Sequence, residues 1–265
     1  MNAPLQVALL GVGVWAPGMP GWSTAAAALC GHVDSGATFT RPSPSLLPPA
    51  ERRRAPDSVL LAIEVAQQAC GMAGHEPRGL PHVFASSYGD LPINDYLCAT
   101  LAHAPTEVSP TKFHNSVHNA PAGYWAIATG CQESSSALSA ADATFGAGLL
   151  EAALLAHSEA RPVLFVVYDV AAAGPMADTV SCDVPFAAAF VLAPPGGSAL
   201  ATLRLAVADA HAALAPDADL LHALYATNPA ARSLPLLTAV ARRAAQTQCV
   251  MAGPHLQLSV ETCFD

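Results

Sequence analysis

Charge is scarce in this chain of 265 residues. Only 12% of positions are Asp, Glu, Lys or Arg, against 52% apolar, well under the usual quarter. So little charge in an Ala-rich chain points to a large obligate interface as well as an internal core. The net charge is −9, which argues against a nucleic-acid or anionic-membrane partner. No CxxC pair or zinc spacing joins the seven cysteines, and their odd count fits reduced, buried thiols in a cytoplasm. No apolar run is long enough to span a bilayer. The run Val7–Ala16 has no Lys or Arg before it and is broken by glycines, which makes it a core strand rather than a signal peptide. Gly11 and Gly13 lack a third glycine opening a helix, so a dinucleotide fold is disfavoured. Ser134–Ser136 lacks a GxSxG elbow and reads as a polar connector.

What is present is an α/β chain, of a length for one domain or two small ones. Leu5–Trp15 predicts a strand, Gly21–Gly31 a short Ala helix and Ala37–Pro49 a Pro/Ser-rich loop. Val59, Leu60, Ile63, Ala66 and Ala69 recur at helical spacing within Asp57–Met72. His82–Ser87 predicts a second strand and Ile93–Leu101 a helix. A polar loop, Ser109–Asn119, leads to a small-residue helix, Ala120–Thr129. A Ser-rich connector, Cys131–Ser139, leads to a second helix, Ala141–His157. Val163–Tyr168 is continuously apolar and predicts a strand buried on both faces of a parallel sheet. Further strands fall at Phe186–Leu192 and Ala201–Val207. A helical stretch, Ala218–Ala245, is broken near Pro229 and Pro235, and a strand pair follows at Gln248–Met251 and Leu256–Thr262.

The run from Ser109 to Asp169 resembles the β-ketoacyl synthase (thiolase-fold) condensing enzymes. Ser109-Pro110 falls on their loop start, Ala122-Gly123 on a small pair, and Gly130 on the glycine closing the helix. Twelve residues beyond Gly130, where the family keeps its nucleophilic Cys, stands Asp142. A condensing enzyme needs a thiolate there to accept the acyl chain. A carboxylate cannot hold a transferable thioester, but an Asp at a helix start is stable as a cap. The resemblance implies a thiolase-like layered fold with a complete first half (1–195) and a truncated second half (196–265) in a single domain. The family's histidine motifs have no counterpart here, and His211, His222 and His255 read as structural.

A condensing-enzyme chain without the nucleophile resembles the chain-length factors, and by its length the small subunits of aryl polyene (xanthomonadin-type) pathways. That implies a non-catalytic subunit paired with an active β-ketoacyl synthase in a heterodimer, shaping the partner's acyl tunnel. Acyl carrier protein would be met only indirectly, and no cofactor or metal is implied. Carried over, Thr111, Lys112, Phe113, His114, His118, Asn119, Ala122, Gly123 and Phe145 would line the tunnel or the interface. Arg52-Arg53-Arg54 reads as a solvated helix start or a minor contact.

Other constellations compete with this reading. His114 and His118 stand four apart, as metal ligands on a helix can, but with no third ligand nearby. Cys131 with either histidine would make a hydrolase pair, although at a helix exit its thiol is not activated. Asp169 and Asp183 read as turn residues. Two alternatives stay open: a stand-alone acyl-thioester hydrolase or decarboxylase using Asp142 or Cys131, and a small-molecule binding module using the vestigial acyl pocket.

Overall fold

The computed structural model describes residues 4–32, 40–208, 224 and 226–264. Its strands form one eight-stranded mixed sheet in the order β3-β2-β4-β5-β1-β6-β8-β7. They are β1 (Leu5–Trp15), β2 (His82–Ala85), β3 (Ser135–Leu138), β4 (Val163–Asp169), β5 (Phe186–Ala193), β6 (Ala201–Ala208), β7 (Gln246–Gly253) and β8 (Leu256–Cys263). The helices are α1 (Trp22–Leu29), α2 (Pro49–Arg54), α3 (Asp57–Ala73), α4 (Leu91–His103), α5 (Pro110–His114), α6 (Ala120–Thr129), α7 (Thr144–Glu159) and α8 (Leu234–Arg242).

Every residue of β4 and β5 is buried, because helices cover both faces of the sheet. Alternation along the strands sorts the side chains. Leu164, Val166, Tyr168, Ala187, Ala189 and Val191 pack with α3 and α6 on one face. Val163, Phe165, Val167, Ala188, Phe190 and Leu192 pack with α7 on the other. On that second face Phe145, Phe165 and Phe190 form a ring cluster, with centroids 5.8 to 6.1 Å apart. The strand around Val163 is therefore doubly buried as expected, but its ladder is not purely parallel. It runs parallel to β2 and antiparallel to β5.

Gly11 and Gly13 have a packing role. A β-carbon at either would overlap the backbone of α3, at Ala69 and Val65 respectively. The helix thus lies directly on β1. It ends at Gly74 in the left-handed conformation (φ 66°), where the His75 amide reaches the Cys70 carbonyl.

The Ser109–Asn119 loop contains a helical turn, α5, started by Pro110 and capped by Ser109, whose Oγ accepts from the Lys112 amide at 3.4 Å. The Cys131–Ser139 connector contains β3, parallel to β2 at the sheet edge. Helix formation at Ala141–His157 splits into a 3₁₀ turn, Ala141–Ala143, followed by α7. Within Ala218–Ala245, the described part includes a 3₁₀ turn, Pro229–Ser233, leading into α8. The expected break near Pro229 is present, since residues 224, 226 and 227 are helical and Asn228 is extended; Pro229 and Pro235 then stand in first turns, where the missing N–H costs nothing. His211 and His222 lie outside the described residues. His255 is exposed in the two-residue turn of the β7–β8 hairpin.

Candidate functional site

Asp142 sits on an elbow between β3 and α7. The residue before it, Ala141, has φ 49°, a left-handed backbone that costs an alanine about 1–2 kcal/mol. Side chains hold the elbow in place. Ser87 Oγ donates to the Ala141 carbonyl at 2.9 Å, and Ser139 Oγ to the Ser87 carbonyl at 2.9 Å. Thr144 Oγ1 donates to the Ala141 carbonyl at 2.6 Å and accepts from the Ala140 amide at 3.0 Å. The capping role expected of Asp142 is not realised: neither the 3₁₀ turn nor α7 has a side-chain cap, and Asp142 is exposed. Thr144 serves the turn's free amide instead.

The residues expected at a tunnel or interface divide into two groups. Thr111, Lys112, Phe113 and His114 of α5 are all exposed, as are Asn119 and Gly123. Lys112 lies on the Tyr96 ring, its Nζ 3.6 Å from the centroid, and the Tyr96 hydroxyl accepts from the Ser109 amide at 3.1 Å. His118 is half-buried, with Nε2 2.9 Å from the Ser86 carbonyl oxygen. Phe145 and Ala122 face inward, and this corrects the expectation for both. Phe145 belongs to the ring cluster under α7, and Ala122 packs towards α3, each about 2% exposed or less. A side chain buried within its own chain cannot line a partner's tunnel.

Beside α5 and α6 runs an apolar groove of about 510 Å³, bordered by Leu46, Leu47, Pro48, Val117, Tyr124 and Ile127. Phe113, Val117 and Ile127 are 65%, 53% and 86% exposed. Large apolar side chains clustered in this way mark a contact surface.

Cys131 is not paired with His114 or His118. It lies buried past Gly130, its Sγ 3.4 Å from the Leu80 carbonyl and 3.8 Å from His82 Nδ1. Burial pushes the His82 imidazole below its ordinary pKa, which disfavours the imidazolium a thiolate pair requires. Among the described residues, no three His, Cys, Asp or Glu side chains are grouped as a metal site would need.

Sequence reasoning missed one group. Asp169 is not a turn residue: it ends β4, is fully buried, and accepts from Ser86 Oγ, the Ser87 amide and the Tyr88 amide at 2.8, 2.9 and 3.1 Å. Its other oxygen has no partner. Burial raises its pKa to about 7 against the pull of those bonds. The buried Asn228 amide donates to the Asp169 carbonyl at 3.1 Å and to the Val184 carbonyl at 2.7 Å. The signal available in the sequence was an Asp closing a doubly buried strand.

A three-layered α/β fold with a strained strand–turn–helix elbow defines a thiolase-like protein. Residues 22–256 match the family model described as beta-ketoacyl synthase, N-terminal domain, and the chain belongs to that family. No curated protein matches it. Among solved structures, it shares its fold with a chain of the ketosynthase (ApeO) in complex with its chain length factor (ApeC) from Xenorhabdus doucetiae. The identity is 24%, with 97% of this chain and 99% of that one covered, at a TM-score of 0.73. A chain of AntDE:AntF, a type II PKS acyl-carrier protein in complex with its ketosynthase bound to the hexaketide, matches at 13% identity. There 98% of this chain and 100% of that one are covered, at a TM-score of 0.70. A beta-ketoacyl synthase from Burkholderia phymatum STM815 matches at 14% identity, over 91% of this chain and 71% of that one, at a TM-score of 0.58. At these identities the likeness is one of fold. No described helix is long and apolar enough to cross a membrane.

Proposed function

We propose that this chain is the non-catalytic, chain-length-factor-like subunit of a heterodimer with an active β-ketoacyl synthase, acting in polyketide or aryl polyene biosynthesis. The observation that carries this reading is Asp142 on the elbow. The family's thiolate position holds an exposed carboxylate, and a carboxylate cannot accept and pass on an acyl chain as a thioester. The partner would supply the cysteine nucleophile, the histidines and the oxyanion hole for decarboxylative condensation of carrier-bound malonyl and acyl groups. This subunit would supply the α5–α6 face and its groove, with Thr111 to His114 setting how long a chain fits.

Two further observations support the reading. The exposed Phe113, Val117 and Ile127 give α5 and α6 an apolar face that a partner would cover. An end-to-end match in length is found to a chain from a ketosynthase–chain length factor complex.

The test is co-expression with an active β-ketoacyl synthase from the same organism, followed by size-exclusion chromatography and analysis of the products. A one-to-one complex is expected, with condensing activity retained in Asp142→Ala and a changed product length in Phe113→Ala. A chain that stays apart from the ketosynthase and hydrolyses acyl thioesters alone, with the activity lost in Asp142→Ala or Cys131→Ala, overturns the reading in favour of a hydrolase.

A further inference from the structure

Helix α5 is a single turn, and none of its residues, Pro110 to His114, is buried. One turn fixes several backbone dihedrals for very few hydrogen bonds and does not hold by itself. Its own cap is long, with Ser109 Oγ 3.4 Å from the Lys112 amide. The seat of α5 is therefore set by its neighbours, through two anchors. Just past its end, the buried Asn115 accepts from the Tyr124 hydroxyl of α6 at 3.2 Å. At its start stands Tyr96 of α4, which makes two contacts. The Tyr96 hydroxyl accepts from the Ser109 amide at 3.1 Å, and the ring lies under Lys112, with Nζ 3.6 Å from the centroid.

The helix that carries Tyr96 is itself fixed. Asp90 caps α4 through the Ile93 amide at 2.9 Å and accepts from Ser58 Oγ of α3 at 2.7 Å. Leu91 and Ile93 are buried. Next to Tyr96, the Asp95 carboxyl closes on the 3₁₀ turn Gly174–Asp178, where a β-carbon at Gly174 would overlap it. A side chain on a helix held in this way carries the position of the core out to α5.

We propose that Tyr96 is a positioning residue: it seats α5 through the Ser109 amide and the Lys112 ammonium, and so sets how far Phe113 reaches. This rests on the reading of Thr111 to His114 as length-setting residues, and it divides the work among them. Lys112 is a strap. None of the ion pairs of the described residues includes it, and its ammonium lies on the Tyr96 ring, whose face attracts a cation. Phe113, 65% exposed, is left free to meet a growing chain. Tyr96 acts through α5 rather than on that chain itself.

The experiment is mass analysis of the products made by the complex with a co-expressed β-ketoacyl synthase, with Phe113→Ala as the reference. Tyr96→Leu removes both contacts, and the ratio of longer to native-length product is expected to rise about ten-fold, as when a pocket changes by a methylene. Tyr96→Phe keeps the ring under Lys112 and is expected to move the ratio less. Lys112→Ala is expected to shift the ratio in the wild type and to add nothing in the Tyr96→Leu background, because the two side chains act as one contact. Should Tyr96→Leu not assemble, Tyr96→Phe and Lys112→Ala carry the test. Native length in the Tyr96 variants while Phe113→Ala alters it overturns the positioning role and leaves the proposed function standing. Full additivity of Tyr96→Leu and Lys112→Ala, or a lower yield at unchanged length, does the same. Native length in every variant, Phe113→Ala included, or no complex at all, overturns both.

Discussion

Gly146 faces the backbone of Met251 with no room for a side chain: a β-carbon there would overlap the Met251 carbonyl oxygen. This contact seats the start of α7 on β7, four residues beyond Asp142. Gly146→Ala must push backbone apart, and a loss of about 2–3 kcal/mol is expected in urea unfolding. Gly123, in the middle of α6, faces open space. Gly123→Ala is expected to stabilise the isolated chain by about 0.5–1 kcal/mol, so the pair of variants separates close approach from helix propensity.

Phe145 provides a second separation. Because it packs against Phe165 and Phe190 inside the chain, Phe145→Ala is expected to cost about 3–5 kcal/mol of stability. The milder Phe145→Leu should leave the length of any product unchanged. A change in product length without loss of stability would contradict the core position described above.

Ile127 is the most exposed large apolar side chain on α6, at 86%. Ile127→Glu should leave the melting temperature of the isolated chain within a degree or two, since a surface change rarely exceeds about 0.5 kcal/mol. Affinity for the partner should fall about ten-fold or more, as measured by calorimetry.

Thiol labelling should sort the cysteines by burial. Cys30 and Cys98 are exposed, whereas burial raises the thiols of Cys70 and Cys182 to about 12. At pH 8 a maleimide is expected to modify Cys30 and Cys98 within minutes and to spare Cys70 and Cys182 until the chain unfolds.

Stability should fall as pH rises, through Asp169. Its folded pKa stands at about 7 against about 3.9 for a free Asp, so its contribution is intact below about 4 and is lost progressively as pH climbs to 7. From pH 5.5 to 8 the loss amounts to about 2 kcal/mol. Urea midpoints for the wild type and Asp169→Asn should therefore converge at low pH and separate at high pH.

Much of the architecture was legible because burial writes itself as pattern. Leu5–Trp15, Val163–Tyr168 and Phe186–Leu192 are long apolar runs, and Gly130 marks the end of α6. β3 left no such trace: Ser135–Leu138 is a partly exposed edge strand, stabilised by its ladder with β2 rather than by apolar side chains. The turn α5 was hidden because one helical turn is too short to show a period. At the site, the exposed α5 residues were readable by position along the chain. The inward orientation of Phe145 and Ala122 was not, because a helix phase is settled only by what packs against it. Asp169 was misread for a related reason: an Asp after an apolar run normally marks a surface turn, and only the folded sheet end brings Ser86, Ser87 and Tyr88 to it.

The place of β1 in the sheet constrains how the chain comes off the ribosome. Its neighbours are β5 and β6, with Trp15 paired to Ala187 and Leu9 to Ala201. The first strand made is thus left without a sheet neighbour while about 170 further residues emerge, among the most non-local pairings a chain of this size can have. Until then its two open edges and apolar faces are free to pair with whatever lies nearby. A nascent chain stalled before Phe186 should therefore be a substrate for chaperones rather than a partly folded domain, and fragments ending there should aggregate.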